Sequence, residues 1–376
     1  MTVSGWVGQQ ISFWDDGVES NAYVHDLGTT LGSHVKFTGS AQISPGWSAG
    51  YVLQIEAIGS DGLTTSQNVP NGPAALVGTT SGVQTLQSYW FVKSDQLGKI
   101  SVGKQSQASD NTAILVDGSG SLVPANWVAF DTNSFAIRNN VGANIVWGNA
   151  QSCFGQGGAW GDCNGLTQNV VRYDSPTFGG FSLSASWGDD DMWDIAARYA
   201  GEHHGFKLAI AGAYNEVTSQ VYNGGANVPD MEYFQLGVYV QHVATGLFGL
   251  YNYGTLEADF KDGGPIVDDV DTHYVKLGLR TKFNHLGATV FYGEYLNGQD
   301  GAFGTVLGIT DAAQRFGISS EMEVWGLGVV QEVDAAAMSV WIKYRNQSLD
   351  VSGPIVPPGV QFEDFDYVGV GGLINF

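Results

Sequence analysis

Strict alternation of apolar and polar side chains recurs along the whole chain, and a period of two points to strands. HVKFTGSAQI (34–43) sets Val35, Phe37, Gly39, Ala41 and Ile43 against His34, Lys36, Thr38, Ser40 and Gln42. GFSLSASW (180–187) separates Phe181, Leu183, Ala185 and Trp187 from three serines. In YVKLGLRTKF (274–283), Val275, Leu277, Leu279 and Phe283 oppose Lys276, Arg280 and Lys282. AMSVWIKYR (337–345) opposes Met338, Val340, Ile342 and Tyr344 to Trp341, Lys343 and Arg345. The pattern persists to the last residue, where Val368, Val370, Ile374 and Phe376 share one face. These segments run roughly 9 to 13 residues, longer than the ordinary strand of about five or six.

The connections between them alternate in length. Short ones fall at PGWSAG, SDQLG, SPTFGG, EHHG, ATG, NHLG and VDAAA; long ones are expected over 15–31, 60–83, 106–167, 217–230, 258–270, 298–320 and 348–361. The GDDD turn near 188–191 is short where the rhythm asks for a long one. No run approaches 18 apolar residues, so transmembrane helices are excluded. Fifty-three glycines together with 12% aromatic residues lean all-β, and only 14% charged residues leave little polar cover for a soluble surface. A soluble sandwich or propeller predicts shorter strands and a polar exterior. An apolar outer face with short turns at one end predicts instead a transmembrane antiparallel β-barrel of about 16 strands, spanning residues 1–376 as one domain.

Charge follows the same geometry. The chain carries 37 acidic and 15 basic residues, a net charge of −22, which speaks against a nucleic-acid partner. By parity Lys36, Arg172, Arg198, Lys207, Lys276, Arg280, Lys282, Lys343 and Arg345 point inward, as a barrel requires. A lipid-facing Lys or Arg at mid-depth would cost about 2–4 kcal/mol. Lys104 is ambiguous, because it shares the parity of Ile100 and Val102. The acids collect in long connections, with Asp15, Asp16 and Glu19 in the first. Asp189, Asp190 and Asp191 follow, then Asp259, Asp262, Asp268, Asp269 and Asp271, and finally Glu363, Asp364 and Asp366. Gathered at one mouth they would concentrate cations and offer a place for a divalent ion such as calcium.

The connection 106–167 is far longer than an ordinary loop and carries Ile114, Leu115, Val116, Leu122, Val123, Trp127 and Phe130. Folded into the lumen, it would bury them against the wall. Its Asp110, Asp117 and Asp131 would then face the wall bases and set a transverse field across a constriction. Cys153 and Cys163 lack the four ligands of a structural zinc site, and a disulfide closing a glycine-rich loop is the better reading. No hydrolase elbow, zinc-protease or P-loop motif is present, and His203–His204 read as a solvated turn. No enzyme is expected, and no cofactor is required. No signal peptide precedes MTVSGW, so the chain is expected to be either cytosolic or a mature form whose leader has been replaced.

The segment NVVRYDSPTFGGFSLSASWGDD (169–190), the strand GKISVGKQ, the cysteine pair and the terminal LINF together resemble the general diffusion porins of alphaproteobacterial outer membranes. The resemblance implies a homotrimer of 16-stranded barrels in the outer membrane of a Gram-negative bacterium, in contact with lipid and lipopolysaccharide. It also implies an inward third loop and a terminal Phe376 read by the barrel-assembly machinery. It places Asp110, Asp117 and Asp131 opposite wall bases Lys36, Lys104, Arg172, Arg198, Lys343 and Arg345, with Arg172 at the position of a constriction arginine. The start departs from the family, because a short segment before the first strand is missing. The function implied is passive diffusion of small hydrophilic solutes and ions, with cations favoured. One alternative is a sugar-specific channel lined by Trp341 and Tyr274; the other is a plugged structural or adhesin barrel.

Overall fold

The computed structural model describes residues 1–74, 82–142, 144–153, 158–189, 191–218, 230–259, 267–302, 318–354 and 356–376. Two of the expected mouth acids, Asp190 and Asp262, lie outside the described residues. The first half of the wall is β1 (Thr2–Asp15), β2 (Ser20–His25), β3 (His34–Ser44), β4 (Trp47–Ile58), β5 (Gly82–Ser94), β6 (Gly98–Gln105), β7 (Gln168–Asp174) and β8 (Phe181–Gly188). The second half is β9 (Trp193–His203), β10 (Phe206–Val217), β11 (Asp230–His242), β12 (Leu247–Asp259), β13 (Val267–Thr281), β14 (Thr289–Gln299), β15 (Ser319–Val333), β16 (Met338–Ser352) and β17 (Phe365–Asn375).

From β3 onward each strand pairs antiparallel with the next, and β1 pairs with β17 from Trp6↔Asn375 to Asp15↔Asp366. The sheet therefore closes, leaving no edge whose backbone groups would lack partners. The seventeen strand segments make sixteen staves, because β2 and β3 share one position. β1 pairs with β2 through Gln10–Asp15 and with β3 through Thr2–Trp6. Residues 26–33 leave the ladder between them. At the gap Ser33 Oγ accepts from Gly8 N at 3.1 Å, a side chain replacing the lost backbone partner. The connection expected over 15–31 is thus largely this broken stave. The expected short turns at the other end all occur where the spacing puts them.

The alternation sorts the two faces as expected. Phe181, Leu183, Trp187, Ile195, Leu277, Leu327, Ile342 and Val370 are exposed on the outside, whereas Gln10, Gln54, Ser101, Asp194, Gln235, Asn252 and Gln347 are buried on the inside. A polar residue on the outer face would sit in hydrocarbon. Leu327, mid-way along β15 and 55% exposed, is the position to test. Leu327→Arg should cost about 2–4 kcal/mol in reversible folding into lipid vesicles, read from denaturant midpoints.

Candidate functional site

The described residues of segment 106–167 pack on the polar face of the wall, and their contacts run from β7 round to β17 and β1. At its start Ser109 donates both its backbone N and its Oγ to Asp194 Oδ2 on β9, each at 2.7 Å. Gln235 on β11 accepts from Ala113 N at 2.7 Å and donates to Ser109 O at 3.0 Å. Asn252 on β12 donates to Ala113 O at 2.6 Å. Gly237 permits this approach: a Cβ there would lie 2.1 Å from the Ala113 carbonyl oxygen. On the return, Gln151 donates to Asp271 O at 2.9 Å, and Tyr233 donates its hydroxyl to Gly161 O at 2.6 Å. Cys153 and Cys163 form the expected disulfide, against Met231, Tyr233 and Leu256.

Three wall cations hold three consecutive carbonyls of the segment. Lys343 Nζ donates to Pro124 O at 3.1 Å, Lys276 Nζ to Ala125 O at 2.7 Å and an Arg345 guanidinium nitrogen to Asn126 O at 2.7 Å. Each cation also meets a carboxylate. Lys343 pairs with Asp131 at 2.5 Å, Lys276 with Asp117 at 2.6 Å, and Arg345 grips Glu294 bidentately at 2.7 Å on both oxygens. Gln10 and Tyr367 add hydrogen bonds to Asp131 at 3.0 and 3.1 Å, and Tyr274 donates to Glu294 at 2.6 Å. All six charged side chains are nearly or fully buried. Burial opposes the ionisation of Asp131, but the nearby Lys343, His25 and Arg345 outweigh it and hold the carboxyl at about 2.

The opposite side of the barrel stays open. A cavity of about 730 Å³ lies between the segment and the inner faces of β3 to β9. Its wall side carries Lys36, Arg172 and Arg198; its segment side carries Asp110, Leu115, Leu122, Val123 and Phe130. Arg172 binds Asp174 through Nε at 2.9 Å and donates to Ser106 O and Gln107 O at 2.9 and 3.0 Å. Arg198 donates to Ala108 O at 2.6 Å and to Thr112 Oγ1 at 2.8 Å. Lys36 makes no hydrogen bond or ion pair with a described residue. Burial pushes Asp110 up to about 7; Arg172 and a hydrogen bond from Asn111 pull it back only in part.

The expected constriction set therefore divides. Asp110, Lys36, Arg172 and Arg198 meet at the cavity. Asp117, Asp131, Lys343 and Arg345 lie instead in the sealed cluster, where Asp117 and Asp131 are neutralised by lysines. Lys104 corrects the expectation outright. It sits in unbroken register between Ser88 and Asn169, on the same face as exposed Ile100, and points away from the segment. Trp341 and Tyr274, expected to line a sugar path, are buried against the sealed side. Leu115, expected to be buried, is 60% exposed toward the cavity. Glu294 and Lys276 were not singled out as site residues. Their inward parity was visible in the strands, but their pairing, Lys276 with Asp117 of the segment and Glu294 with Arg345 on β16, joins positions far apart in the chain.

Lys343→Met would leave the Asp131 charge buried and unpaired, so it should destabilise the barrel by about 3–5 kcal/mol in denaturant unfolding. Adding Asp131→Leu should recover most of that loss. Because the folded carboxyl is depressed, the pairing contributes fully above the ordinary carboxylate range and is lost as pH falls toward about 2. Protease cleavage within 106–142, followed against pH, should rise only in that acid window.

A family model described as Gram-negative porin matches residues 1–372. Among solved structures, the anion-selective porin from Comamonas acidovorans superposes with a TM-score of 0.61 at 16% identity, covering 100% of this chain and 99% of that one. The trimer form of in-vitro folded OmpT from Vibrio cholerae gives 0.55 at 13% identity, covering 100% and 98%. A mutant of the Rh. blastica porin gives 0.54 at 12%, covering 100% and 99%. No curated protein sequence matches. At such identities the structures speak for the fold alone, while the family match spans nearly the whole chain. The chain belongs to the Gram-negative porin family, channel-forming barrels of the outer membrane.

Proposed function

We propose that the protein forms a water-filled channel for passive diffusion of small hydrophilic solutes and ions, narrowed by segment 106–167 standing in the lumen. The observation that carries this reading is the 730 Å³ cavity left between the segment and β3 to β9. A plugged barrel would not leave such a space beside a segment so firmly held on the other side. The preference expected from the composition was for cations. The lining supports the opposite sign, because two of the three loop acids are sequestered in ion pairs and Asp110 is only partly ionised at neutral pH. Lys36, Arg172 and Arg198 then outweigh Asp174 along the passage, and the narrowest charged region decides ion preference over the acidic loops outside. Three such barrels assembled as a homotrimer complete the reading.

Single-channel currents in planar bilayers under a KCl gradient test it. Steps in threes with a reversal potential of anion sign are expected, whereas a cation-signed reversal would discard the basic-lining argument. The anion preference should weaken as pH rises through about 7 and Asp110 takes up its charge. Asp110→Asn should flatten that pH dependence and hold the low-pH selectivity throughout.

A further inference from the structure

The two sides of the passage differ in chemistry as well as in position. The wall side presents cations from β3, β7 and β9. The segment side, where paired acids would be expected, presents one acid, Asp110, beside Leu115, Leu122, Val123 and Phe130. Asp117 is two residues from Leu115 in sequence, yet its carboxylate is turned away and closed on Lys276. Ile114 and Val116 are buried on either side of Leu115, so the chain buries its neighbours and leaves this one leucine to the water of the passage. An apolar side chain held in water gains when an apolar solute covers it. On the wall side, Lys36 offers an ammonium without a described partner, and Arg198 hydrogen-bonds to Ser184, Ala108 and Thr112 but to no carboxylate of a described residue.

We infer that the passage selects amphiphilic anions: small carboxylates whose apolar body lies on the Leu115, Val123 and Phe130 side while the charged end meets one of the wall cations, Lys36 or Arg198. The inference rests on the open-channel reading above and narrows its solute class. A carboxylate gains a charge-assisted contact on one side and an apolar one on the other. An alkylammonium of equal length meets like charges, and acetate lacks the apolar body. Neither short anions nor apolar cations match both walls.

The full-length protein in planar bilayers bathed in KCl tests this, with half-blocking concentrations measured for acetate, hexanoate and hexylammonium. Hexanoate should block at a concentration about tenfold below that of acetate, the effect of roughly two methylenes leaving water. Hexylammonium should block only weakly. Leu115→Ser should bring hexanoate and acetate together, and Lys36→Gln should weaken both carboxylates in the same proportion, each referred to that variant's own KCl current. KCl steps in which hexanoate and acetate block equally, or hexylammonium matches hexanoate, overturn this inference and leave the channel standing. A chain-length dependence that survives both Leu115→Ser and Phe130→Ser overturns it as well. Absence of KCl steps overturns the channel reading and this inference with it.

Discussion

Hydrocarbon offers no hydrogen bonds, so every backbone N–H and C=O of a spanning sheet must find its partner inside the sheet. Here that requirement is met at the seam of β1 and β17. Phe376 N donates to Gly5 O at 3.0 Å, and Gly5 N returns the bond to Phe376 O at 3.1 Å. Closing the sheet separates the two faces completely. Apolar side chains cover much of the outside, and most of the basic residues of the wall strands are turned inward, where acids and bases must accommodate one another.

Segment 106–167 depends on that inward charge. Alone, a Lys or Arg buried in the barrel would carry a severe desolvation cost, and so would an orphaned carbonyl of the segment. Lys343, Lys276 and Arg345 meet both demands together, since each binds one carbonyl of Pro124, Ala125 or Asn126 and one carboxylate. The pairing pulls the segment to the β13–β17 side. The cavity is thereby left against β3 to β9, where Arg172 and Arg198 secure only the start of the segment. The same class of residue thus has two roles: sealed cations position the segment, and others line the cavity beside it.

Much of the barrel was legible in the residues. The alternation around Leu183 and Trp187, or Leu277 and Arg280, requires a strand with one face in lipid, and the short turns marked one end of the wall. The broken stave was less legible. Residues 26–33 carry no local signal that Ser33 would replace a backbone partner of Gly8, because that bond joins two segments 25 positions apart. The site was legible by half. Arg172, Arg198 and Lys36 are inward by parity alone, but which acids faced them was not a matter of parity.

Period-two patterning is a local property, and it is enough to specify strands, their two faces and a closed wall, since any other arrangement would put charge in lipid or leave an edge unpaired. Which carboxylate meets which cation is a matter of distance across the barrel. Asp131 and Lys343 are 212 positions apart, and only folding brings them within 2.5 Å. That encounter and the pairing of Asp117 with Lys276 keep both acids out of the cavity, where Asp110 and Leu115 remain. The balance of charge lining the cavity was therefore decided in three dimensions, because it depends on which charges are cancelled by neighbours and not on how many the chain contains.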